Sequence, residues 1–278
     1  MGSVAVNWKN MLTGPAPTIA ADPVAGLDAE SDDHAPRLAA LTAGLALADP
    51  RERLRVFAER LPRRLVFTTS FGIEDQLLTH HILGDGLPID VVTLDAGRLF
   101  PATYTLWQTT EERYGRRIRS MQPDGPALAA LVARQGINGF YGSRDARLAC
   151  CGVRKVEPLG RALDGAAGWI TGLRADQSGA RGAVSLAAWD GERELLKLAP
   201  LFDWSRERVA AECDRLAVPI NPLHAQGYLS IGCEPCTRAL APGEPERAGR
   251  WWWEQDEAKE CGLHVGADGR LVRGAAPA

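Results

Sequence analysis

Four cysteines in two tight groups are the residues of this chain best suited to bind a metal or to carry out sulfur chemistry. Cys150 and Cys151 are adjacent, and about eighty residues later Cys233 and Cys236 form a Cys-x-x-Cys pair. Glycine or proline flanks each group, as is typical of turns. Four soft ligands supplied by two loops suit an iron–sulfur cluster or a structural zinc ion.

The spacing of these cysteines favours a cluster over zinc. A zinc ion usually takes its thiolates from two Cys-x-x-Cys turns, because all the sulfurs must approach one ion to about 2.3 Å. Adjacent cysteines do this poorly, whereas side chains roughly 100° apart on a helical turn can reach different irons of a cubane. Zinc, and unligated core or redox thiols, remain the alternatives.

Composition and charge describe an ordinary globular protein. Of the 278 residues, 45% are hydrophobic and 24% are charged, and the net charge of -3 argues against a nucleic-acid binder. The N-terminus lacks the pattern of a secretory signal, and no apolar stretch is long enough to cross a bilayer. We therefore expect a soluble, cytoplasmic protein with no membrane partner, whose reducing surroundings disfavour disulfides.

A cluster of basic residues nevertheless crowds the middle of the chain. Its members are Arg147, Arg154, Lys155, Arg161, Arg174 and Arg181. Such a cluster is either a solvated face or the binding site of a polyanionic small molecule.

Alternating strand and helix patterns predict an α/β fold with a mostly parallel sheet flanked by helices. The predicted strands cover residues 64–69, 89–95, 117–121, 168–173 and 194–201. Two short helices precede them, one helix spans 144–163, and Asp203 is predicted to cap another. We divide the chain into a loosely ordered leader (1–36), a nucleotide-binding domain (37–240) and a C-terminal catalytic segment with its tail (241–278).

Candidate binding residues follow the predicted strands, where ligands of parallel sheets bind. The turn Ser70-Phe71-Gly72 joins a strand to a helix N-terminus, where backbone N–H groups and the helix dipole favour an anion. The alternative is that Ser70 only caps the helix. Asp95, Arg98 and Arg174 follow other strands at the same edge.

The C-terminal part contains a second candidate for chemistry, Cys261. It lies outside any apolar period, beside a glycine and three residues before His264. An accessible cysteine near Arg or His⁺ becomes a reactive thiolate, although a spare surface thiol fits equally well. Cys213, by contrast, is predicted to be a core residue. The three tryptophans at 251–253 cannot share one buried face, so some of them are free to form a docking surface.

Together these motifs resemble the assimilatory adenylyl-sulfate reductases of bacteria and plastids, within the wider phosphoadenylyl-sulfate reductase family. The resemblance runs from about residue 64 to residue 265. It includes Ser70-Phe71-Gly72, Leu94-Asp95-Ala96-Gly97-Arg98, residues 149–155 around the cysteine pair, residues 171–178, the Cys-x-x-Cys, residues 247–253 and residues 260–264. Two small departures, Ala96 and Phe100, fall where the family often has threonine and proline.

The resemblance implies an adenine nucleotide alpha hydrolase-like fold with a mobile C-terminal segment. It implies a [4Fe-4S] cluster on Cys150, Cys151, Cys233 and Cys236, and a nucleophile at Cys261. It also implies reduction of adenylyl sulfate to sulfite and AMP, with thioredoxin or a glutaredoxin-like thiol as reductant, in sulfate assimilation for cysteine biosynthesis. Homo-oligomerisation and tolerance of a 3′-phosphate stay open.

Carried over to this sequence, the resemblance gives two sets of expected site residues. The catalytic set is Cys261, Lys155, His264, Arg247 and Arg250. The substrate-binding set is Ser70, Phe71, Gly72, Leu94, Asp95, Gly97, Arg98, Gly172, Arg174 and Arg181. A thiolate at Cys261 would attack the sulfate sulfur and form an S-sulfonate.

Two other functions are alternatives to this one. A sulfur-insertion enzyme of the same fold needs a longer glycine-rich phosphate loop than Ser70-Phe71-Gly72 provides. A redox sensor with a cluster and one exposed thiol leaves the anion-binding arginines unexplained.

Overall fold

The computed structural model describes residues 34–61, 63–254, 260 and 263–264. Nearly all of the predicted leader, and Cys261, lie outside the described residues. Within them, the strands are β1 Leu65–Thr69, β2 Ile89–Leu94, β3 Arg119–Met121, β4 Gly168–Ile170, β5 Ala187–Asp190 and β6 Leu195–Leu198. The helices are α1 Ala35–Thr42, α2 Pro50–Arg60, α3 Ile73–Gly84, α4 Pro101–Tyr114, α5 Gly125–Gln135, α6 Arg144–Cys151, α7 Glu157–Leu163 and α8 Arg206–Arg215.

The described strands form one sheet in the order β3-β2-β1-β4-β6-β5. All neighbouring pairs are parallel except β5 and β6. The predicted α/β class with a mostly parallel sheet is therefore confirmed. The antiparallel edge strand β5 was not predicted.

Helices cover both faces of the sheet, so its central strands are buried on both sides. In β1, Leu65 and Phe67 point into the larger core, with α2, α3 and α8, while Val66 points into a second core with Leu159 of α7. Successive side chains of a strand alternate between faces, and here both faces are apolar. This is why the strand reads as a continuous apolar run.

The sheet order creates a crevice between β1 and β4. The chain leaves β1 toward β2 and β3 on one side, and it returns to β4 on the other side of β1. Loops that leave neighbouring strands in opposite directions open a crevice at the carboxyl ends of those strands, and ligands bind there.

The predicted helix over 144–163 is helical throughout, but it changes type in the middle. Between α6 and α7, residues Gly152–Val156 form a π-helical segment. Such wide turns are frequent at functional sites, and this one directly follows Cys150 and Cys151.

The predicted cap at Asp203 is wrong. The hydroxyl of Ser205 accepts the backbone N–H of Arg208 at 3.2 Å and caps α8. Asp203 instead accepts hydrogen bonds from Arg53 at 2.5 and 2.8 Å. Aspartate and serine both cap helices well. Ser205 is the cap here because the carboxylate of Asp203 is bound to Arg53.

Two further predictions can be checked. Cys213 is 1% exposed and belongs to the main core, which confirms its predicted role. No helix in the described part of the chain is long and apolar enough to span a membrane.

Candidate active site

A cavity of about 180 Å³ opens where β1, β2 and β4 end. We call it the anion pocket. The strand ends contribute Thr69, Ser70, Gly72, Thr93, Leu94, Thr171 and Gly172 to its lining. The predicted contact residues Ser70, Gly72, Leu94 and Gly172 therefore converge on one site.

The turn after β1 forms one wall of the anion pocket. Gly72 occupies the N-cap position of α3, and because glycine has no side chain, no side-chain capping bond forms there. The backbone N–H and the hydroxyl of Ser70 donate to Asp75 at 2.6 and 2.7 Å. The alternative that Ser70 caps this helix is therefore wrong, because its hydroxyl is bound to Asp75.

Phe71 supports this turn from below and does not line the pocket. Its backbone φ of 59° lies in the left-handed region that favours glycine. Its side chain is wholly buried and stacks on Trp107 with ring centroids 5.7 Å apart. Burial of the phenyl ring offsets the cost of this backbone conformation.

Asp75 is one of the buried carboxyl groups that line the pocket. Burial raises its pKa to about 6, although the hydrogen bonds from Ser70 act in the opposite direction. Gly172 lies so close that an added Cβ would fall 2.3 Å from Asp75 Oδ1. The glycine therefore allows β4 and α3 to approach each other at the pocket.

Among the described residues, four cationic side chains line the anion pocket: Lys155, Arg181, Arg247 and Arg250. Arg181 donates from Nε and Nη2 to Glu260, both at 2.9 Å, and Arg247 donates to Glu260 at 3.1 Å. Burial alone would raise the pKa of Glu260, but Arg181 and Arg247 hold it below its usual range. Glu260 is therefore an ionised carboxylate bound to two cations of the pocket.

The predicted contact residues Asp95, Gly97, Arg98 and Arg174 also lie outside the lining of this pocket. Asp95 accepts hydrogen bonds from the backbone of Gly97 and from the hydroxyl of Tyr104, each at 2.8 Å. Arg98 donates to Asn138 and to the carbonyl of Ile137. These side chains bind neighbouring loops in the structure, and their contact with a substrate stays a prediction.

Arg174 is wholly buried beneath the pocket. It donates to Glu74 at 2.8 Å and to Glu246 at 2.8 and 3.1 Å, and it also pairs with Asp176. Its guanidinium holds the loop after β4 against α3. Its predicted contact with the substrate remains untested.

His264 lines the pocket with its ring stacked on Trp169, with centroids 5.1 Å apart and planes at 15°. Burial, reinforced by Lys197, lowers its pKa well below the usual range. The imidazole is therefore neutral at physiological pH, and its Nδ1 is buried without a hydrogen-bond partner in the described part of the protein. Its predicted catalytic role stays a prediction.

The four predicted metal-binding cysteines line a second, smaller cavity, which we call the cysteine cavity. Its lining contains Cys150, Cys151, Cys233 and Cys236. Among the described residues, no three His, Cys, Asp or Glu side chains gather closely enough to hold a single metal ion. The four thiols surround a common space.

The surroundings of the cysteine cavity suit an anionic cluster. Its cationic lining residues are Arg98, Arg147, Arg154, Lys155 and Arg250. The Nε atoms of Arg154 and Arg250 are buried without a hydrogen-bond acceptor in the described part of the protein. Burial raises the pKa of Cys236 to about 11 and also raises that of Cys150. The raised pKa values describe neutral thiols, whereas the unmatched buried N–H donors are what the acceptor sulfurs of a cluster would satisfy.

The two cavities share a wall. Lys155, Arg250 and Trp251 line both of them. Trp251 is 1% exposed, whereas Trp252 is 50% exposed. The prediction that the three tryptophans cannot share one buried face is therefore confirmed.

Residues 64–239 match the model of the phosphoadenosine phosphosulfate reductase domain, which is more than half of the chain. The chain belongs to this reductase family. It is 57% identical over 227 residues to the adenosine 5′-phosphosulfate reductase of Agrobacterium fabrum, covering 82% of this chain and 87% of that protein. It is 53% identical over 200 residues to the enzyme of the same name from Allochromatium vinosum, with 72% and 78% covered. The family predicted from the motifs is thus confirmed.

The fold also matches a solved member of the family. The phosphate complex of phosphoadenylyl-sulfate reductase from Candida auris superposes with a TM-score of 0.64 at 26% identity, covering 73% of this chain and 97% of that chain. The nucleotide-binding α/β architecture is therefore common to both.

Sequence reasoning missed several residues of the site. Asp75, Glu260, Arg147 and Trp251 were given no individual role. Acidic residues in the first turn of α3 were a usable signal, because helix N-termini favour them. The pairing of Glu260 with Arg181 joins residues far apart in the sequence, and no local pattern indicates it.

Proposed function

We propose that this protein reduces adenylyl sulfate to sulfite and AMP in sulfate assimilation. The observation that carries the proposal is the wall of Lys155, Arg250 and Trp251, which joins a cationic pocket at the strand ends to a cavity lined by four cysteines. The names of the most similar relatives agree with this substrate.

In this proposal the nucleotide lies across the ends of β1, β2 and β4. The turn Ser70-Phe71-Gly72 offers backbone N–H groups at the start of α3 to the ribose and phosphate. Lys155, Arg181, Arg247 and Arg250 bind the phosphosulfate, because guanidinium and ammonium groups make strong charge-assisted hydrogen bonds to such oxygens.

The first chemical step is nucleophilic attack by the thiolate of Cys261 on the sulfate sulfur. A sulfur–sulfur bond forms, the bond from that sulfur to the bridging oxygen breaks, and AMP leaves with the oxygen. What supports the role of Cys261 is that Glu260 and Leu263, its near neighbours in sequence, both line the pocket. The pocket cations offset the repulsion between thiolate and substrate and stabilise the charge on the leaving phosphate.

The second step needs an external dithiol of the thioredoxin or glutaredoxin type. One of its thiolates attacks the sulfur of Cys261 and displaces sulfite, which leaves a mixed disulfide. Its second thiol resolves that disulfide and returns Cys261 to the thiol form. The two electrons that reduce sulfur(VI) to sulfur(IV) therefore come from the partner, which is oxidised to a disulfide.

The four cysteines would hold a [4Fe-4S] cluster, whose contribution here is a fixed charge beside the pocket. Arg154, Arg250 and Lys155 would balance that charge, and Lys155 would be oriented between cluster and substrate. The thiol chemistry above balances without electrons from the cluster. Zinc remains the alternative metal, and iron analysis separates the two.

The test is an anaerobic assay of the purified protein with its iron content and visible spectrum recorded. Adenylyl sulfate and its 3′-phosphorylated form are compared as substrates with thioredoxin as reductant. We expect sulfite from adenylyl sulfate, and a labelled sulfonate retained by the wild type but not by Cys261→Ser. Cys213→Ser is the matched control, because that thiol lies in the core. Full activity of Cys261→Ser would overturn the assignment of Cys261 as the nucleophile. Full activity of a zinc-loaded protein without iron would overturn the assignment of the cluster.

A further inference from the structure

Glu260 holds an unusual position among the carboxylates that line the anion pocket. In the described part of the chain, those carboxylates are Glu74, Asp75, Glu246 and Glu260. Glu74 and Glu246 are bound to Arg174, which lies beneath the pocket, and Asp75 is bound to Ser70. Glu260 alone among these four is hydrogen-bonded to cations that themselves line the pocket.

We propose that Glu260 is an internal competitor of the substrate, whose carboxylate occupies the edges of Arg181 and Arg247 that the phosphosulfate anion must take over. This inference rests on the proposed function for the identity of the anion. The Nε and Nη2 atoms of Arg181 form the fork that binds a carboxylate or a sulfate in the bidentate manner, and Glu260 fills both positions at 2.9 Å. An incoming anion can use this fork only after the carboxylate leaves.

The rest of the Arg181 guanidinium is also occupied and buried. Its remaining nitrogen, Nη1, donates to Gln177 at 2.5 Å, and the side chain is 7% exposed. The guanidinium is therefore fixed on both sides. Without Glu260 or a substrate, it would be a buried cation with an unmatched charge, which is costly. The carboxylate of Glu260 therefore stabilises the buried guanidinium of Arg181 before a substrate binds.

The backbone of Glu260 is held independently of its side chain. Its carbonyl accepts a hydrogen bond from Arg147 Nη1 at 2.8 Å, outside the ion pairs of the pocket. The carboxylate can thus rotate away from Arg181 and Arg247 while the main chain stays bound to α6. The substrate can then replace the carboxylate through a movement of the Glu260 side chain alone. The hydrogen bond between the Glu260 carbonyl and Arg147 does not have to break.

Binding measurements in a protein that cannot turn over test the proposal. We compare two proteins by calorimetry: the Cys261→Ser variant, which keeps Glu260, and the same variant with Glu260→Gln added. The quantity measured is the Kd of each protein for adenylyl sulfate. A neutral amide competes more weakly for the guanidinium groups, so we expect the Kd to fall about five- to tenfold. The control is Glu244→Gln, since Glu244 pairs with Arg238 and does not line the pocket. We expect no change of the Kd in this control.

Thermal unfolding with inorganic sulfate as the probe gives a second readout. Glu260→Gln should unfold at a lower temperature than its parent without added anion, because Arg181 loses its counterion. Sulfate should then raise its unfolding temperature more than it raises that of the parent. Glu260→Asp, whose shorter carboxylate cannot reach both arginines equally, should lie between the two.

The outcomes separate this inference from the proposed function. If neither protein binds adenylyl sulfate, the proposed function fails. The experiment with inorganic sulfate then tests by itself whether Glu260 competes with an anion. If the Kd of adenylyl sulfate is unchanged or higher in Glu260→Gln, the competition is refuted. Equal stabilisation of parent and variant by sulfate refutes it as well, even if Glu260→Gln folds poorly.

Discussion

At the scale of single residues, Trp251 contacts three guanidinium groups at once. The guanidinium carbons of Arg147, Arg250 and Arg247 lie 4.6, 4.7 and 5.9 Å from its ring centroid. Indole faces attract such cations, most strongly where water is excluded. One buried ring therefore supports cations of both the anion pocket and the cysteine cavity.

Replacement of this ring should cost much more than replacement of its neighbour. We expect Trp251→Ala to lower the free energy of unfolding by about 3–5 kcal/mol, because a large buried side chain is lost and a cavity is left. Trp252→Ala, at an exposed position, should change it by no more than about 0.5 kcal/mol. Urea unfolding of both variants measures the difference, and equal losses would contradict the support role of Trp251.

Ionisation of Asp75 should lower the free energy of unfolding as the pH rises. Its pKa is raised from 3.8 to about 6, so its contribution to stability is complete below pH 3.8 and is lost as the pH rises through about 6. Asp75→Asn removes this loss. The variant should therefore gain stability over the wild type between pH 4 and 6.5, by roughly 3 kcal/mol at most. Urea unfolding at several pH values measures the gain, and parallel stability curves for the two proteins would show that burial of Asp75 does not perturb its ionisation.

At the scale of secondary-structure elements, α6 binds the C-terminal part of the chain through Arg147. Its guanidinium donates to both carboxylate oxygens of Glu254, at 2.5 and 2.9 Å, and to the carbonyl of Glu260. Burial lowers its pKa, but Glu254 and Cys151 outweigh this and raise the pKa above its usual range. The helix that bears the cysteine pair thus also holds two points of the chain close to Cys261 in sequence.

Loss of this contact should weaken the attachment. Arg147→Met leaves the carboxylate of Glu254, 8% exposed, without its cation. Removal of one partner of a buried pair typically costs about 3 kcal/mol or more. Arg55→Met, on the exposed surface of α2, should destabilise the protein much less, because solvent screens exposed ion pairs. Chemical denaturation compares the two, and a similar small loss for both would mean that the Arg147 pair contributes no more than a surface ion pair.

The elements also show what sequence patterns can predict. Strands such as β1 and β2 were predictable because burial on both faces leaves a run of apolar residues. β5 was missed because it is a four-residue edge strand with a mixed pattern. The π-helical segment has no hydrophobic period of its own to distinguish it from the helices on either side. The cysteines could be grouped from their spacing, but the partners of Arg174, up to 100 residues away in sequence, could not.

At the scale of the whole molecule, the cysteine cavity joins segments that the sheet does not hold together. Cys150 and Cys151 lie at the end of α6, whereas Cys233 and Cys236 belong to a turn between Ile231 and Thr237. The cations around this cavity repel one another unless an anionic group lies between them. A bound cluster would supply both the covalent link and the opposing charge.

Removal of the proposed cluster should therefore loosen one part of the protein before the rest. We expect oxidation with a chelator to lower the unfolding temperature and to speed amide hydrogen exchange in residues 144–156 and 231–254, since metal binding contributes directly to local folding. The amides of β1, β2 and β4 should stay protected, because their partners lie within the sheet. Cys236→Ala should lose iron and show the same exchange pattern, while Cys213→Ala should keep its iron. Uniform faster exchange across the sheet, or no change in 231–254, would mean that the cysteine cavity does not hold these segments together.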